Sequence, residues 1–352
     1  MGTPPTTTQV LPTSQQYVIY SEEDNDTEDV SLFKGTTSSI SRIDFASGAD
    51  INNSIDDQDD QVMSPMSDTR AVFFGRFNNW VQIYEVDSNG NVNVAASTNN
   101  INSGTNQNDL AVCGISNNKF LTYSNSSVTL FTESGGSLSQ SNTSTIGATS
   151  DGSDMVKVPG QEQALLVTTS GAVLIDCSGS SPSIIDTNTG ISNPGTQLTL
   201  ANATTSRFIA FGNGSYVFLD INGSSISQVS SNSLNNFSGA TTSNGNNGKN
   251  PLSSYVGGSV VVVQDQSTGL VAVDVSSDTP ATIGKVNNVN VGESIFICPL
   301  FLQNVSQYYF IALGDQNQKL FSVDENGIFL EIDSTSVAGN HNHEVGCALY
   351  SW

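Results

Sequence analysis

The sequence predicts an all-β fold of seven repeated, four-stranded units, and three observations predict it. Ser (52), Thr (31), Asn (37) and Gly (31) make up about 43% of the 352 residues. These types favour turns and strand edges over helix interiors, and few segments place apolar residues at helical spacing. A short apolar-x-apolar motif, often followed by Asp, recurs along the chain. Its copies are Val30-Ser-Leu32, Val81-Gln-Ile83, Val128-Thr-Leu130, Val173-Leu-Ile175, Val217-Phe-Leu219, Val271-Ala-Val273 and Phe321-Ser-Val323. The steps between them are 51, 47, 45, 44, 54 and 50 residues.

A strand-rich repeat of about 48 residues is the length of one propeller blade. Each anchor reads as the third strand of a blade, with period-two alternation expected for a half-buried strand. An apolar second strand precedes it, at Tyr17–Tyr20, Ala71–Phe74, Phe120–Tyr123, Ala164–Val167, Phe208–Phe211, Val260–Val263 and Tyr308–Leu313. A hairpin turn and a weaker outer strand follow it. Asp87-Ser-Asn-Gly90, Glu133-Ser-Gly-Gly136, Asp220-Ile-Asn-Gly223 and Asp324-Glu-Asn-Gly327 close on a glycine, which supplies the positive φ of a tight turn.

Inner strands are expected at Val62–Met66, Leu110–Ile115, Met155–Val158, Gln197–Leu200, Ser253–Val256, Ile295–Leu300 and Val345–Tyr350. The unit beginning at Tyr17 lacks an inner strand before it, and Val345–Tyr350 lacks a second strand after it. The C-terminal strand therefore closes blade 1, which removes an open edge. The expected organisation is an extended arm over residues 1–16 and one seven-bladed propeller over 17–352.

Phe120–Ser139 (FLTYSNSSVTLFTESGGSLS) resembles a blade of the seven-bladed lactonase-like propellers. In those, a strand with a central aromatic leads into one that ends in a glycine-containing turn. The resemblance extends in outline to all seven units and includes no catalytic motif. It implies the fold and leaves function open.

Composition removes several classes of function. With 33 acids against 10 bases the net charge is −23, which argues against nucleic-acid binding. No apolar run reaches membrane-spanning length, and the Met1-Gly-Thr-Pro-Pro start has no basic or apolar region of a secretory signal. Met1-Gly2-x-x-x-Thr6 fits a myristoylation pattern only loosely. Cys113, Cys177, Cys298 and Cys347 are expected reduced and buried, the first and last two on inner strands and Cys177 on a third strand; a Cys298–Cys347 bridge is the alternative. Nine Asn-x-Ser/Thr sites are what the composition alone produces. Arg42, Arg70, Arg76 and Arg207 form no cluster, and no Gly-x-Ser-x-Gly elbow, Cys/His pair or phosphate loop occurs.

The charge is uneven. Two segments expected as loops on one face, Ser21–Asp29 and Ala46–Gln61, carry 11 of the 33 acids. Asp24, Asp26, Glu28, Asp56, Asp57, Asp59 and Asp60 offer the oxygens that Ca²⁺ takes, roughly 6–8 per ion. The alternatives are a solvated acidic loop and a surface for a basic partner. Asp109, Asp154, Glu293 and Glu344 are expected around the same mouth of the central channel. His341, His343 and Glu344 make a weaker transition-metal candidate, the two histidines sharing one side of a strand.

Trp80, with Asn236, Asn244 and Asn247 of an Asn/Gly/Ser/Thr-rich loop, suits a ligand or partner surface, including a glycan. The Pro/Thr-rich arm is expected either to be disordered or to dock on a neighbouring subunit. The leading functional expectation is a non-enzymatic assembly or attachment module, as a structural or exterior protein of a phage or virus particle. A carbohydrate-binding extracellular propeller is one alternative. A metal-dependent lactonase-type hydrolase is the other.

Overall fold

The computed structural model describes residues 13–24, 27–46, 61–75, 80–98, 110–124, 126–146, 153–195, 198–240, 252–266, 268–292, 295–302, 306–314, 316–336 and 342–352. Their strands form seven antiparallel sheets, with no helix among the described residues. From the inside outward, blade 1 is Asn342–Ser351, Thr13–Asp24, Thr27–Gly35 and Ile40–Ala46, and blade 2 is Gln61–Pro65, Arg70–Gly75, Trp80–Val86 and Val92–Thr98. Blade 3 is Ala111–Ser116, Lys119–Ser124 and Ser127–Ser134, its outer position split between Ser137–Gln140 and Ser144–Thr145. Blade 4 is Ser153–Lys157, Gln163–Thr168, Gly171–Asp176 and Ser183–Asn188, and blade 5 is Thr199–Asn202, Arg207–Phe211, Ser215–Asn222 and Ser225–Ser233. Blade 6 is Ser253–Gly257, Val260–Asp265, Gly269–Asp274 and Ala281–Val286, and blade 7 is Phe296–Leu300, Tyr308–Leu313, Asn317–Val323 and Phe329–Ser336.

The inner strands touch in cyclic order, so the chain is a closed seven-bladed propeller. The C-terminal strand is the inner strand of blade 1, with Ile19 opposite Cys347 and Ser21 opposite Val345. Pairing begins earlier than the expected boundary at Tyr17: Thr13 and Ser14 lie opposite Ser351 and Tyr350. A register shift before Val18 coincides with a positive φ at Gln16.

The third strands differ from the expectation of half-burial. The position between the two anchors is also buried, at Ser31, Gln82, Thr129, Leu174, Phe218, Ala272 and Ser322. Each blade is sandwiched between two others, so its central strands have no solvent face and read as apolar runs. The core is accordingly a set of slabs between blades. One slab joins Ile19, Val30 and Leu32 of blade 1 to Met63, Phe73 and Tyr84 of blade 2.

Outer strands are held by a second, polar device. In blades 1, 2, 4, 5, 6 and 7 the outer strand carries a bulge at one equivalent position, and a bulge sharpens local twist. Where Asp follows the bulge, it reaches the next blade. Asp44 accepts the Val92 N–H at 2.6 Å, Asp186 the Ile226 N–H at 2.7 Å and Asp333 the Ile40 N–H at 2.9 Å. In blade 6 the same position is Gly284, packed so closely that a methyl group there would overlap the Gly327 carbonyl of blade 7. The four expected turn glycines, Gly90, Gly136, Gly223 and Gly327, all have positive φ, between 65° and 85°.

Basic side chains add ionic ties between blades. The first residue of the second strand is Arg70, Lys119 or Arg207 in blades 2, 3 and 5. Each reaches a carboxylate of the following blade: Arg70–Glu133 at 3.1 Å, Lys119–Glu162 at 2.9 Å and Arg207–Asp278 at 2.8 Å.

Candidate functional site

The inner strands line a central channel that is partly open to solvent. Residues from the inner strands of all seven blades line it, Met63, Gly114, Met155, Leu200, Ser254, Pro299 and Ala348 among them. Asp154 lies on this wall but is buried. Its Oδ1 accepts the Met155 N–H at 2.6 Å and its Oδ2 the Leu200 N–H at 2.7 Å. From the channel wall it ties blade 4 to blade 5. Asp109 and Glu293 lie outside the described residues, and Glu344 sits by its backbone on the inner strand of blade 1.

The channel end at which the inner strands of blades 4 and 6 finish is different. Tyr255, Phe301, Tyr350 and Trp352 form a continuous aromatic group there. Ring centroids are 6.0 Å apart for Tyr255–Trp352, 5.3 Å for Phe301–Tyr350 and 6.1 Å for the near-perpendicular Tyr350–Trp352 pair. The Tyr255 hydroxyl donates to the Gly258 carbonyl at 3.2 Å. Burial pushes the Tyr255 and Tyr350 phenols well above their ordinary range.

Lys157, the last residue of its strand, is half-buried in the same part of the wall. Its ammonium is 3.5 Å from the main-chain oxygen of Trp352. Desolvation holds its pKa below the ordinary lysine value.

The cysteines are all free and buried. Cys298 and Cys347 are unbridged, and Cys177 lies one residue past its third strand rather than on it. Burial pushes all four thiols up, Cys177 to about 12. Such burial favours the neutral thiol over the thiolate.

The other residues singled out in the sequence are dispersed. Trp80 opens the third strand of blade 2. It is half-buried against the slab between blades 1 and 2, and its indole N–H donates to Gln82 Oε1 at 3.1 Å. Asn236 is exposed with φ 62°, and its carbonyl accepts from Lys285 Nζ at 3.0 Å. Asn244, Asn247, Asp26, Asp56, Asp57, Asp59, Asp60 and His341 lie outside the described residues. Asp24 and Glu28 belong to paired strands, which corrects the expected loop Ser21–Asp29. The hairpin ladder runs on through Glu22↔Asp29, Glu23↔Glu28 and Asp24↔Thr27. His343 shares the inner strand of blade 1 with Glu344. Among the described residues no group of three His, Cys, Asp or Glu is placed to hold a metal ion.

Three features escaped the sequence reading. One is the Lys157–aromatic end of the channel. The second is the interblade Asp, whose signal was the repeated Ile-Asp of Ile43-Asp44, Ile185-Asp186 and Ile332-Asp333. The third is a set of exposed large apolar side chains, all on outer strands or the turn leading into one. Ile328 is 65% exposed, Leu330 56%, Phe45 44%, Ile43 41% and Ile184 38%.

No protein-family model matches the chain, and no curated protein matches it in sequence. Solved structures match its fold. A functionally unknown protein from Desulfotomaculum acetoxidans aligns over 94% of this chain and 99% of its own, with a TM-score of 0.59 and 14% identity. A Bacteroides uniformis protein with a provisional 6-phosphogluconolactonase assignment aligns over 92% and 100%, with a TM-score of 0.57 and 11% identity. Saccharomyces cerevisiae Sqt1 aligns over 94% and 84%, with a TM-score of 0.56 and 11% identity. The chain thus shares the seven-bladed architecture of the lactonase-like propellers, and at these identities the likeness is one of fold.

Proposed function

We propose that this chain is a non-enzymatic propeller acting as an assembly or attachment module. It joins further protein subunits, a second copy of itself among them, through the outer strands of blades 1 and 7. The observation that carries this reading is where the exposed apolar side chains lie. Ile43 and Phe45 are on the outer strand of blade 1, and Ile328 and Leu330 are on the turn and outer strand of blade 7. The two strands are neighbours, linked by the Ile40 N–H to Asp333. An outer strand also leaves one edge of backbone groups without a strand partner in its own sheet. Apolar side chains beside such an edge suit contact with another protein. The polar, acidic composition, poor in Lys and Arg, supports placing this module on the exterior of a phage or virus particle.

Sedimentation velocity on the full chain over a concentration series tests the reading. Association beyond the monomer is expected, and the double variant Phe45→Ser/Leu330→Ser should return it to the monomer. A wild-type chain that stays monomeric throughout overturns it. Turnover of a lactone by that monomer would put the hydrolase reading in its place.

A further inference from the structure

We propose that Asn222 is a site of spontaneous covalent modification, where the folded chain converts asparagine to aspartate and isoaspartate, and that the fold shields the other described Asn-Gly pairs from the same reaction. Four such pairs lie among the described residues: Asn89-Gly90, Asn213-Gly214, Asn222-Gly223 and Asn326-Gly327. In each, the following glycine has no side chain to hinder attack of its backbone nitrogen on the asparagine amide. The dipeptide is the same every time, so its surroundings decide which one reacts.

In the reaction the Gly223 amide nitrogen gives its proton to hydroxide and bonds to Asn222 Cγ. The Cγ–Nδ2 bond breaks and ammonia leaves, which closes a cyclic succinimide. Water then opens the ring at either carbonyl, giving aspartate or isoaspartate. The net change is asparagine plus water to an acid plus ammonia, with nothing oxidised or reduced. It needs a backbone nitrogen free to lose its proton and a peptide free to turn until nitrogen and Cγ meet.

Three of the glycine nitrogens are engaged. The Gly90 N–H donates to the Asp87 carbonyl at 3.0 Å, the Gly327 N–H to the Asp324 carbonyl at 3.0 Å and the Gly214 N–H to the Gly212 carbonyl at 2.6 Å. The Asp87 and Asp324 carboxylates also accept the Asn89 and Asn326 backbone N–H groups, at 2.8 and 2.9 Å. Gly223 is different. Asn222 lies opposite Ser225, so Gly223 and Ser224 make a two-residue hairpin loop in blade 5. φ is 65° at Gly223 and not positive at Ser224, the pattern of a type II′ turn. The first loop residue of that turn does not supply its closing hydrogen bond, and the Gly223 N–H meets no acceptor among the described residues. Asn222 and Gly223 are both exposed, and nothing would lie within 4 Å of a methyl group at Gly223. No packing holds this peptide still. Conversion places a new negative charge at the tip of the hairpin and removes the Asn222-Gly-Ser triplet.

The test incubates the full chain, folded and in guanidinium chloride, at one mildly alkaline pH and temperature. Peptide mapping by mass spectrometry follows each asparagine, with fragment ions assigning the site. In denaturant all four should convert at comparable rates. Folding should slow Asn89, Asn213 and Asn326 roughly tenfold or more, the weight of one hydrogen bond, and leave Asn222 within about threefold of its unfolded rate. Isoaspartate should accompany aspartate at Asn222, as a succinimide requires. A folded chain that protects Asn222 as strongly as Asn89 or Asn326 overturns the proposal. So does conversion of Asn222 to aspartate alone, which would mean direct hydrolysis without attack by Gly223.

Discussion

Within blade 4, Gly171–Asp176 and Ser183–Asn188 are adjacent strands of one sheet, held in register from Ala172↔Asn188 to Asp176↔Ser183. The first is buried almost throughout and reads as an apolar run, whereas the second has no buried residue and is largely polar. The same contrast separates third from outer strands in the other blades. Non-directional burial holds the wedge-shaped interior, where neighbouring blades press together. At the rim the blades diverge and apolar packing fades, so hydrogen bonds and ion pairs take over the joining of one blade to the next. The rim is therefore where sequence can change with least cost to the fold, and where exposed apolar side chains are available for contact.

Perturbing each region measures the contrast, and the largest effect belongs to the interior. Phe73 and Phe218 are fully buried. Either one changed to Ala should destabilise by about 3–5 kcal/mol in chemical unfolding. A loss below about 1 kcal/mol would mean that the slabs repack freely. Next comes Gly284→Ala, where the added methyl meets the blade 7 backbone. About 1–3 kcal/mol is expected, because a carbonyl cannot move aside as a side-chain tip can.

Arg70→Ala removes the partner of Glu133, whose side chain is 11% exposed, and should cost about 1–3 kcal/mol. Glu133 also gives a pH signature. Its pKa is lowered, first by the Gly136 N–H and then by Arg70. A carboxylate depressed in the folded state stabilises above its unfolded pKa, and that contribution is lost as pH falls through the folded value. The gap between wild type and Glu133→Gln should therefore be full near neutrality and close in acid. A gap that widened in acid would contradict the ion pair.

At the rim the effects shrink. Asp186→Ala leaves the Ile226 N–H without its acceptor and should cost about 1 kcal/mol. Its clearest readout is faster amide exchange at Ile226 alone. Leu330→Ser should change stability by less than about 0.5 kcal/mol while still altering association, and that separates a contact residue from a structural one.

The fold was legible because its signal is redundant. Seven copies of one apolar motif, four turn glycines and a strand left over at each end all pointed to one ring. Burial of the residue between the anchors was not legible, since Ser31, Gln82 and Ser322 are polar and look solvent-facing in isolation. The acidic stretch Ser21–Asp29 looked like a loop because six acids in nine residues oppose strand formation. Pairing with strands on either side overrides that local preference. The channel end was hidden for a geometric reason: Lys157 and Trp352 are 195 residues apart, and only ring closure brings them together. Some candidates, the Asp56–Asp60 acids, Asn244 and His341 among them, fall outside the described residues.

The pairing of Thr13–Asp24 with Asn342–Ser351 also governs the order in which the molecule becomes complete. A ribosome delivers three strands of blade 1 first and its innermost strand after all six other blades. Until then the nascent chain exposes the edge that Ile19 and Ser21 later cover, and a prematurely terminated product retains it. Closure of the ring thus waits on the pairing of Asn342–Ser351 with Thr13–Asp24.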